Sequence, residues 1–209
     1  MMQFSSYQAL EKLLERNQTY VSGQSSCFQG VTKQERKKLV QGQQPYAAIL
    51  GCADSRVVPE FIFNAVPGEL FVCRNAGNLV DENVLSSIEY AVNHLGCALI
   101  CVMGHSSCGA IKAAVNLSRF KDLEQAKESF HVLKLAKRIG SQLELPGKER
   151  AVDISVVDSM ARKNVEYNCA QFMLQSPTIS KMVKSRVIGL VGLWHELESG
   201  KVDVITQLT

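Results

Sequence analysis

Three short apolar runs, separated by helical patterns, constrain the fold of this chain more than any other sequence feature. The runs cover residues 46–51, 69–74 and 98–104, and helical patterns lie near residues 60–63 and over residues 81–94. Apolar strands that alternate with helices build parallel sheets with helices on both faces. The sequence therefore predicts an α/β fold: a single domain with a mostly parallel central sheet flanked by helices, plus an N-terminal helical arm.

Residues 1–44 are predicted to form that arm and a following loop, ahead of an α/β domain over residues 45–209. One apolar stripe marks the first helix: Tyr7, Leu10, Leu13 and Leu14. A long polar stretch separates this helix from the apolar runs. We therefore expect the stripe to dock on a partner chain, because the helix has little core of its own to bury against. The alternative is a helix that folds back on its own domain.

The second half of the chain is predicted to add helices and a pair of edge strands. The helical patterns cover residues 110–117, 121–139 and 152–175. Pro177 is predicted to end the last of these helices, because proline cannot continue a helix. Residues 187–193 and 202–206 follow as a predicted hairpin or as two strands at the sheet edge.

Composition limits the classes of partner and compartment. A net charge of +3 is too small to indicate a nucleic-acid partner. The sequence shows no signal peptide and no run of apolar residues that would span a membrane. Its seven cysteines are odd in number and do not have the spacing of a disulfide framework. These features predict a cytoplasmic location.

Two polar motifs come directly after apolar runs. They read GCADSR at residues 51–56 and GHSSCG at residues 104–109. Ligands of open α/β sheets bind beyond the carboxyl ends of the strands, so we expect Cys52 and His105 to meet there, with Cys108 one turn further on. Two thiolates and one imidazole leave a tetrahedral zinc ion one ligand short, which is typical of a catalytic zinc site.

Asp54 and Arg56 lie beside the first of these cysteines. An arginine next to a carboxylate keeps it ionised and oriented, so this pair could serve a zinc-activated water. The alternative interpretation is a structural salt bridge. Four further cysteines fall in apolar patterns and are expected to be inert buried residues. They are Cys73, Cys97, Cys101 and Cys169.

Four motifs in order resemble the β-class carbonic anhydrases. They are CADSR at residues 52–56, PGE at 67–69, RNAGN at 74–78 and GHSSCG at 104–109. The order and the spacing agree as well as the letters, and the similarity runs from about residue 43 to residue 117.

The resemblance implies zinc held by Cys52, His105 and Cys108 in a catalytic domain over residues 45–209. It implies reversible hydration of carbon dioxide to bicarbonate and a proton by a zinc-bound hydroxide. Asp54 and Arg56 would form the adjoining dyad. The family also implies a homodimer or a higher multiple of dimers.

The resemblance further implies a substrate pocket. Members with an always-open site carry a glutamine, a phenylalanine and a tyrosine that match Gln43, Phe71 and Tyr90 by spacing. Gln44 is adjacent, so the glutamine assignment could shift by one. Gln43 of one chain would serve the zinc of the other. Core packing is the alternative for the two aromatic residues. Independently of the resemblance, Gly109 would let the backbone pass close to whatever the metal binds.

Two other functions stay open at this point. One is a hydrolase on the same scaffold that acts on a linear carbon–sulfur or cyanate-like molecule, since similar folds do not fix a substrate. The other is a zinc-binding regulatory or redox-sensing protein, in which protein would close the fourth coordination position. The Asp54–Arg56 pair argues against the sensor, which does not need it.

Overall fold

A five-stranded sheet forms the centre of the structure, a computed structural model that describes residues 4–26, 31–118, 128–145 and 153–208. The strands are β1 (Ala47–Cys52), β2 (Leu70–Asn75), β3 (Leu99–His105), β4 (Gly189–His195) and β5 (Val202–Leu208). The helices are α1 (Ser6–Val21), α2 (Lys33–Leu39), α3 (Pro59–Ile62), α4 (Glu82–His94), α5 (Gly109–Leu117), α6 (Phe130–Gln142), α7 (Ile154–Gln175) and α8 (Pro177–Lys184).

The sheet order is β2-β1-β3-β4-β5. The first four strands run parallel, and β5 pairs antiparallel with β4. Every residue of β1, β3 and β4 is buried, as expected for parallel strands covered on both faces. The predicted α/β fold with a mostly parallel sheet and a terminal hairpin is therefore confirmed.

Alternate residues of β1 enter separate cores, because successive side chains of a strand point to opposite faces. Ala48 and Leu50 pack with α4, α7 and α8 on one face, and Ala47 and Ile49 pack with α1 and α3 on the other. A third apolar cluster joins α5, α6 and α7 at the carboxyl edge of the sheet and includes Trp194. This cluster forms the wall behind the site described below.

The first helix packs against the core of its own domain, so the premise that it has little core of its own to bury against is wrong. Ala9 and Leu13 are fully buried in the core of the same chain, whereas Tyr7 is 71% exposed. Buried Asn17 bonds the backbone of Ile62, Gly200 and Val202, which ties α1 to α3 and to the hairpin. The central sheet supplies the apolar surface for α1, although a long polar stretch separates the two in the sequence.

Two helix boundaries also differ from expectation. Pro177 does follow the end of α7, but it also begins α8 at the first helical position, where its missing N–H has no effect. Ser176 caps α8 by accepting a hydrogen bond from the Ile179 N–H. Helix α6 begins after its N-cap Ser129, and the first part of the helix predicted from residue 121, residues 121–127, lies outside the described residues. No helix in the described ranges is long and apolar enough to cross a membrane.

Candidate metal centre

Neighbouring parallel strands bring the three predicted ligands together at the carboxyl edge of the sheet. Cys52 ends β1, His105 ends β3 and Cys108 is the N-cap of α5. The two Sγ atoms are 4.0 Å apart, and the possible ligand atoms of all three residues lie within 4.8 Å of one another. All three side chains are buried. The register of the sheet thus builds a compact donor set from distant parts of the chain.

The ring of His105 is already oriented for a metal. Its Nδ1 lies 2.9 Å from the carbonyl oxygen of Ser106. Because a carbonyl only accepts, Nδ1 must donate, and the neutral ring then carries its free lone pair on Nε2. That Nε2 atom is buried and has no hydrogen-bond partner among the described residues. A buried nitrogen in this state fits a metal ion, which would satisfy it.

The two sulfurs are within hydrogen-bond distance, and either could be the donor. Their contact lowers the pKa of Cys52 and raises the pKa of Cys108, so the pair can hold a thiolate beside a thiol. Metal binding displaces protons from cysteine ligands. The donor chemistry of this set, two sulfurs and one imidazole, fits zinc.

The Asp54–Arg56 pair is formed as expected. Arg56 donates from Nε to Asp54 Oδ1 at 2.9 Å and from Nη2 to Oδ2 at 2.7 Å. Its backbone N–H donates to Oδ1 as well, at 3.0 Å. These hydrogen bonds hold the pKa of Asp54 well below its usual range. The carboxylate is therefore ionised, fixed at both oxygens, and outside the group of three possible ligands.

Two residues that support this site were missed at the sequence level. Arg74 donates to the carbonyl oxygens of Cys52 at 2.9 Å and Asp54 at 2.6 Å, so it holds the backbone that carries both side chains. Its motif, RNAGN, was a usable signal. Asp158 accepts from the N–H of Ser107 at 2.7 Å. No local pattern marks Asp158, because it lies on a helix far along the chain.

The proposed substrate residues lie away from the metal centre of their own chain. Phe71 is in register with Ala48 near the start of β1, whereas Cys52 ends that strand. Tyr90 on α4 lies 6.4 Å from Phe71, measured between ring centroids, and is 49% exposed. Gln43 precedes β1 and is exposed. One chain therefore does not bring these three residues to its own ligands.

Gln43 lines an open groove of about 600 Å³, near the amino ends of the parallel strands and opposite the metal ligands. We call this side of the sheet the opposite edge. The groove also contains Tyr46 and Glu69. Gly109 lies at the other edge, directly after Cys108, as the first residue of α5. A Cβ atom added there would meet nothing within 4 Å, so the space over its backbone is open within this chain.

The remaining described cysteines behave as packing residues. Cys97, Cys101 and Cys169 are buried, and Cys73 is half-buried. Burial raises the pKa of all four thiols, to about 12 for Cys97 and Cys169. They stay protonated at neutral pH and take no part in the site, as the sequence predicted.

Comparison with known proteins agrees with this geometry. The family profile described as "Carbonic anhydrase" matches residues 47–202. Carbonic anhydrase 2 of Mycobacterium tuberculosis is 35% identical over 193 residues, covering 92% of this chain and 89% of that protein. A Coccomyxa β-carbonic anhydrase structure aligns with a TM-score of 0.68 at 28% identity, covering 96% of this chain and 88% of that one. The chain belongs to the β-carbonic anhydrase family.

A second structural neighbour comes from a pair of tetrameric enzymes. One of two tetrameric β-carbonic anhydrases from Sordaria macrospora aligns with a TM-score of 0.66 and 25% identity. The alignment covers 96% of this chain and 98% of that chain. In this β-carbonic anhydrase chain, the zinc that the family uses fits the group of Cys52, His105 and Cys108.

Proposed function

We propose that Cys52, His105 and Cys108 hold the zinc ion with which this enzyme reversibly hydrates carbon dioxide to bicarbonate and a proton. The observation that carries the proposal is the buried, unpartnered Nε2 of His105 beside two sulfurs 4.0 Å apart. Bound zinc supplies the Lewis acidity that makes water a nucleophile near neutral pH. No fourth cysteine, histidine or carboxylate joins the group within the described residues, which supports an enzyme rather than a closed sensor site.

Asp54 and Arg56 form the catalytic dyad of this proposal. The ionised carboxylate can accept a hydrogen bond from the reacting water and orient its lone pair. Both carboxylate oxygens are held by Arg56, so the carboxylate stays out of the ligand group. This arrangement supports the always-open form of the site, in which the fourth coordination position is left for water and substrate.

We further propose that the working unit is a homodimer, or a multiple of dimers, with a substrate pocket shared between chains. Gln43, Phe71 and Tyr90 lie toward the edge of the sheet opposite their own metal ligands. A partner chain can supply them to the metal centre. Phe71 and Tyr90 would give an apolar wall for carbon dioxide, and the Gln43 amide would donate to a bicarbonate oxygen.

We propose a cytoplasmic location on the state of the cysteines. All six described cysteines are free thiols. Reduced thiols persist in the cytoplasm, whereas oxidising compartments favour disulfides. Fractionation of the native host cells, followed by detection of the protein, would test this location.

Stopped-flow hydration of carbon dioxide tests the function directly. The zinc-loaded protein should hydrate carbon dioxide, lose this activity after treatment with a chelator, and regain it when zinc is added back. The Cys52→Ser variant is the matched control. Carbonyl sulfide and carbon disulfide should be poor substrates by comparison. Turnover of these two molecules without carbon dioxide hydration would instead identify the alternative hydrolase.

A further inference from the structure

The loop between two of the metal ligands contains a residue in an uncommon backbone conformation. Ser107 lies between His105 and Cys108 and has a φ of 57°. Residues other than glycine rarely adopt this left-handed region unless their surroundings hold them there. Because Ser107 separates two ligands, its conformation determines where their side chains point.

The carboxylate of Asp158 holds the amide side of Ser107. The Ser107 N–H donates to Asp158 Oδ1 at 2.7 Å, the short distance typical of a charge-assisted bond. Asp158 lies near the start of α7 and is half-buried. Among the described residues, no lysine or arginine forms an ion pair with it. Its partner is therefore the ligand loop rather than a cation.

The carbonyl side of Ser107 contacts the catalytic dyad. Its oxygen accepts from Arg56 Nη2 at 3.2 Å, and the same Nη2 donates to Asp54 Oδ2 at 2.7 Å. One continuous chain of hydrogen bonds thus runs from Asp158 through the backbone of Ser107 to Arg56 and Asp54. A shift of Ser107 would disturb the ligand spacing and the dyad together.

Other hydrogen bonds hold the neighbouring residue, Ser106, and do not involve the N–H of Ser107. The N–H of Ser106 donates to the His195 carbonyl at 3.0 Å, and the Ser106 hydroxyl accepts from the Leu197 N–H at 2.9 Å. These bonds attach Ser106 to β4 and the residues after it. Only α7, through Asp158, has a described hydrogen bond to the amide of Ser107.

We propose that Asp158 is a positioning residue, which holds Ser107 in its left-handed conformation and so fixes both the zinc ligands and Arg56. The proposal rests on the proposed function, because it assigns Asp158 a role in that same metal centre. Asp158 lies outside the group of possible metal ligands. It acts through the backbone of Ser107, so its effect should appear in zinc retention as well as in turnover.

Three variants test this role by two independent readouts, the rate of zinc release to a chelator and the turnover per bound zinc. Asp158→Ala should release zinc about 10-fold faster and turn over about 10-fold more slowly, at the lower end of effects seen for residues that support metal ligands. Asp158→Asn should stay near wild type, because the amide oxygen can accept the same N–H. Asp153→Ala, the control, removes the N-cap of the same helix and should lower thermal stability only.

A double variant tests the conformational part of the proposal. Glycine adopts positive φ readily, so adding Ser107→Gly to Asp158→Ala should restore slow zinc release in part. The proposal is overturned if Asp158→Ala matches wild type in both readouts, if Asp158→Asn is as impaired as Asp158→Ala, or if the double variant shows no recovery. A wild-type protein that binds zinc without hydrating carbon dioxide would refute the proposed function, while zinc release would still test Asp158.

Discussion

The two edges of the central sheet differ in how much of the proposed site a single chain completes. At the carboxyl edge, Cys52, His105 and Cys108 are buried and mutually in reach. Toward the opposite edge, Gln43 is exposed in an open groove and Tyr90 is 49% exposed. The first edge needs only a metal ion. The second edge carries the residues that we propose to serve the substrate of a partner chain.

This difference separates two kinds of function in the same chain. Metal binding and the dyad depend on hydrogen bonds and packing within one chain. The substrate pocket, as proposed, depends on a second copy that presents its opposite edge. Changes at the carboxyl edge should therefore act within a chain, and changes at the opposite edge should act on its partner.

Loss of a metal ligand should have the largest effect. We expect Cys52→Ser and Cys108→Ser to lose most of their zinc and nearly all turnover, because the proposed site has three ligands among the described residues. Metal analysis of the purified proteins measures this. Cys97→Ser, which changes a buried thiol elsewhere, should keep its zinc. Full zinc content in both ligand variants would refute the assignment.

The dyad should have the next largest effect. Asp54→Asn and Arg56→Ala should keep most of the metal but lose about 10–100-fold in turnover, as is usual when groups that support a metal site are changed. The matched control is Lys201→Ala, which breaks an exposed ion pair with Asp203 and should be neutral. Near-wild-type rates in both dyad variants would mean that the pair is only structural.

Mixed dimers test the shared pocket. Gln43→Ala chains keep their zinc ligands, and Cys52→Ser chains keep their glutamine. If the pocket is shared, co-expressed chains in random dimers should recover about a quarter of wild-type turnover, because half of the dimers contain one complete site. No recovery would contradict a shared pocket. Gln44→Ala should be silent, and an effect there would move the glutamine assignment by one residue. Sedimentation measures the dimer itself.

The smallest expected effect concerns the pH dependence of stability at the opposite edge. Burial alone would raise the pKa of Glu69, but hydrogen bonds and charge from Arg16, with Lys12 nearby, hold it below its ordinary value. Because the folded-state pKa is lowered, the ionised carboxylate stabilises the protein at pH values above the ordinary pKa of 4.5. This stabilisation is lost as the pH falls below 4.5 and through the folded-state pKa.

Glu69→Gln should therefore lower the free energy of unfolding by about 1 kcal/mol at pH 7, in the range of a hydrogen-bonded, partly buried pair. The difference from wild type should shrink below pH 4.5. Denaturant unfolding at pH 7 and pH 3.5 measures it, with exposed Asp203→Asn as the control. A difference that grows toward acid pH would show that the sign of the pKa shift is wrong.

Local sequence was enough to predict the group of possible metal ligands and the mostly parallel sheet. Apolar runs identify strands by composition alone, and the carboxyl ends of neighbouring parallel strands meet at one edge. Cys52 and His105 therefore could be placed together without coordinates. The dyad was equally accessible, because Asp54 and Arg56 are two positions apart and their contact is local.

Long-range packing decided what local patterns could not. The docking of α1 depends on Asn17 reaching backbone groups of Ile62, Gly200 and Val202. No local pattern around Asn17 predicts these three partners. Residues that a polar stretch separates in the sequence are therefore in contact in the folded chain.

The sequence by itself determined which side chains can bind zinc, and the tertiary structure decided which contacts surround them. Asp158 illustrates the difference, because its contact with Ser107 exists only where α7 packs across the end of β3. Short motifs predict the chemistry of this site, because the reactive side chains come directly after strands that the sequence identifies. A supporting contact such as that of Asp158 comes from a polar residue on a distant helix. Only the packing of the folded chain shows which such residue makes it.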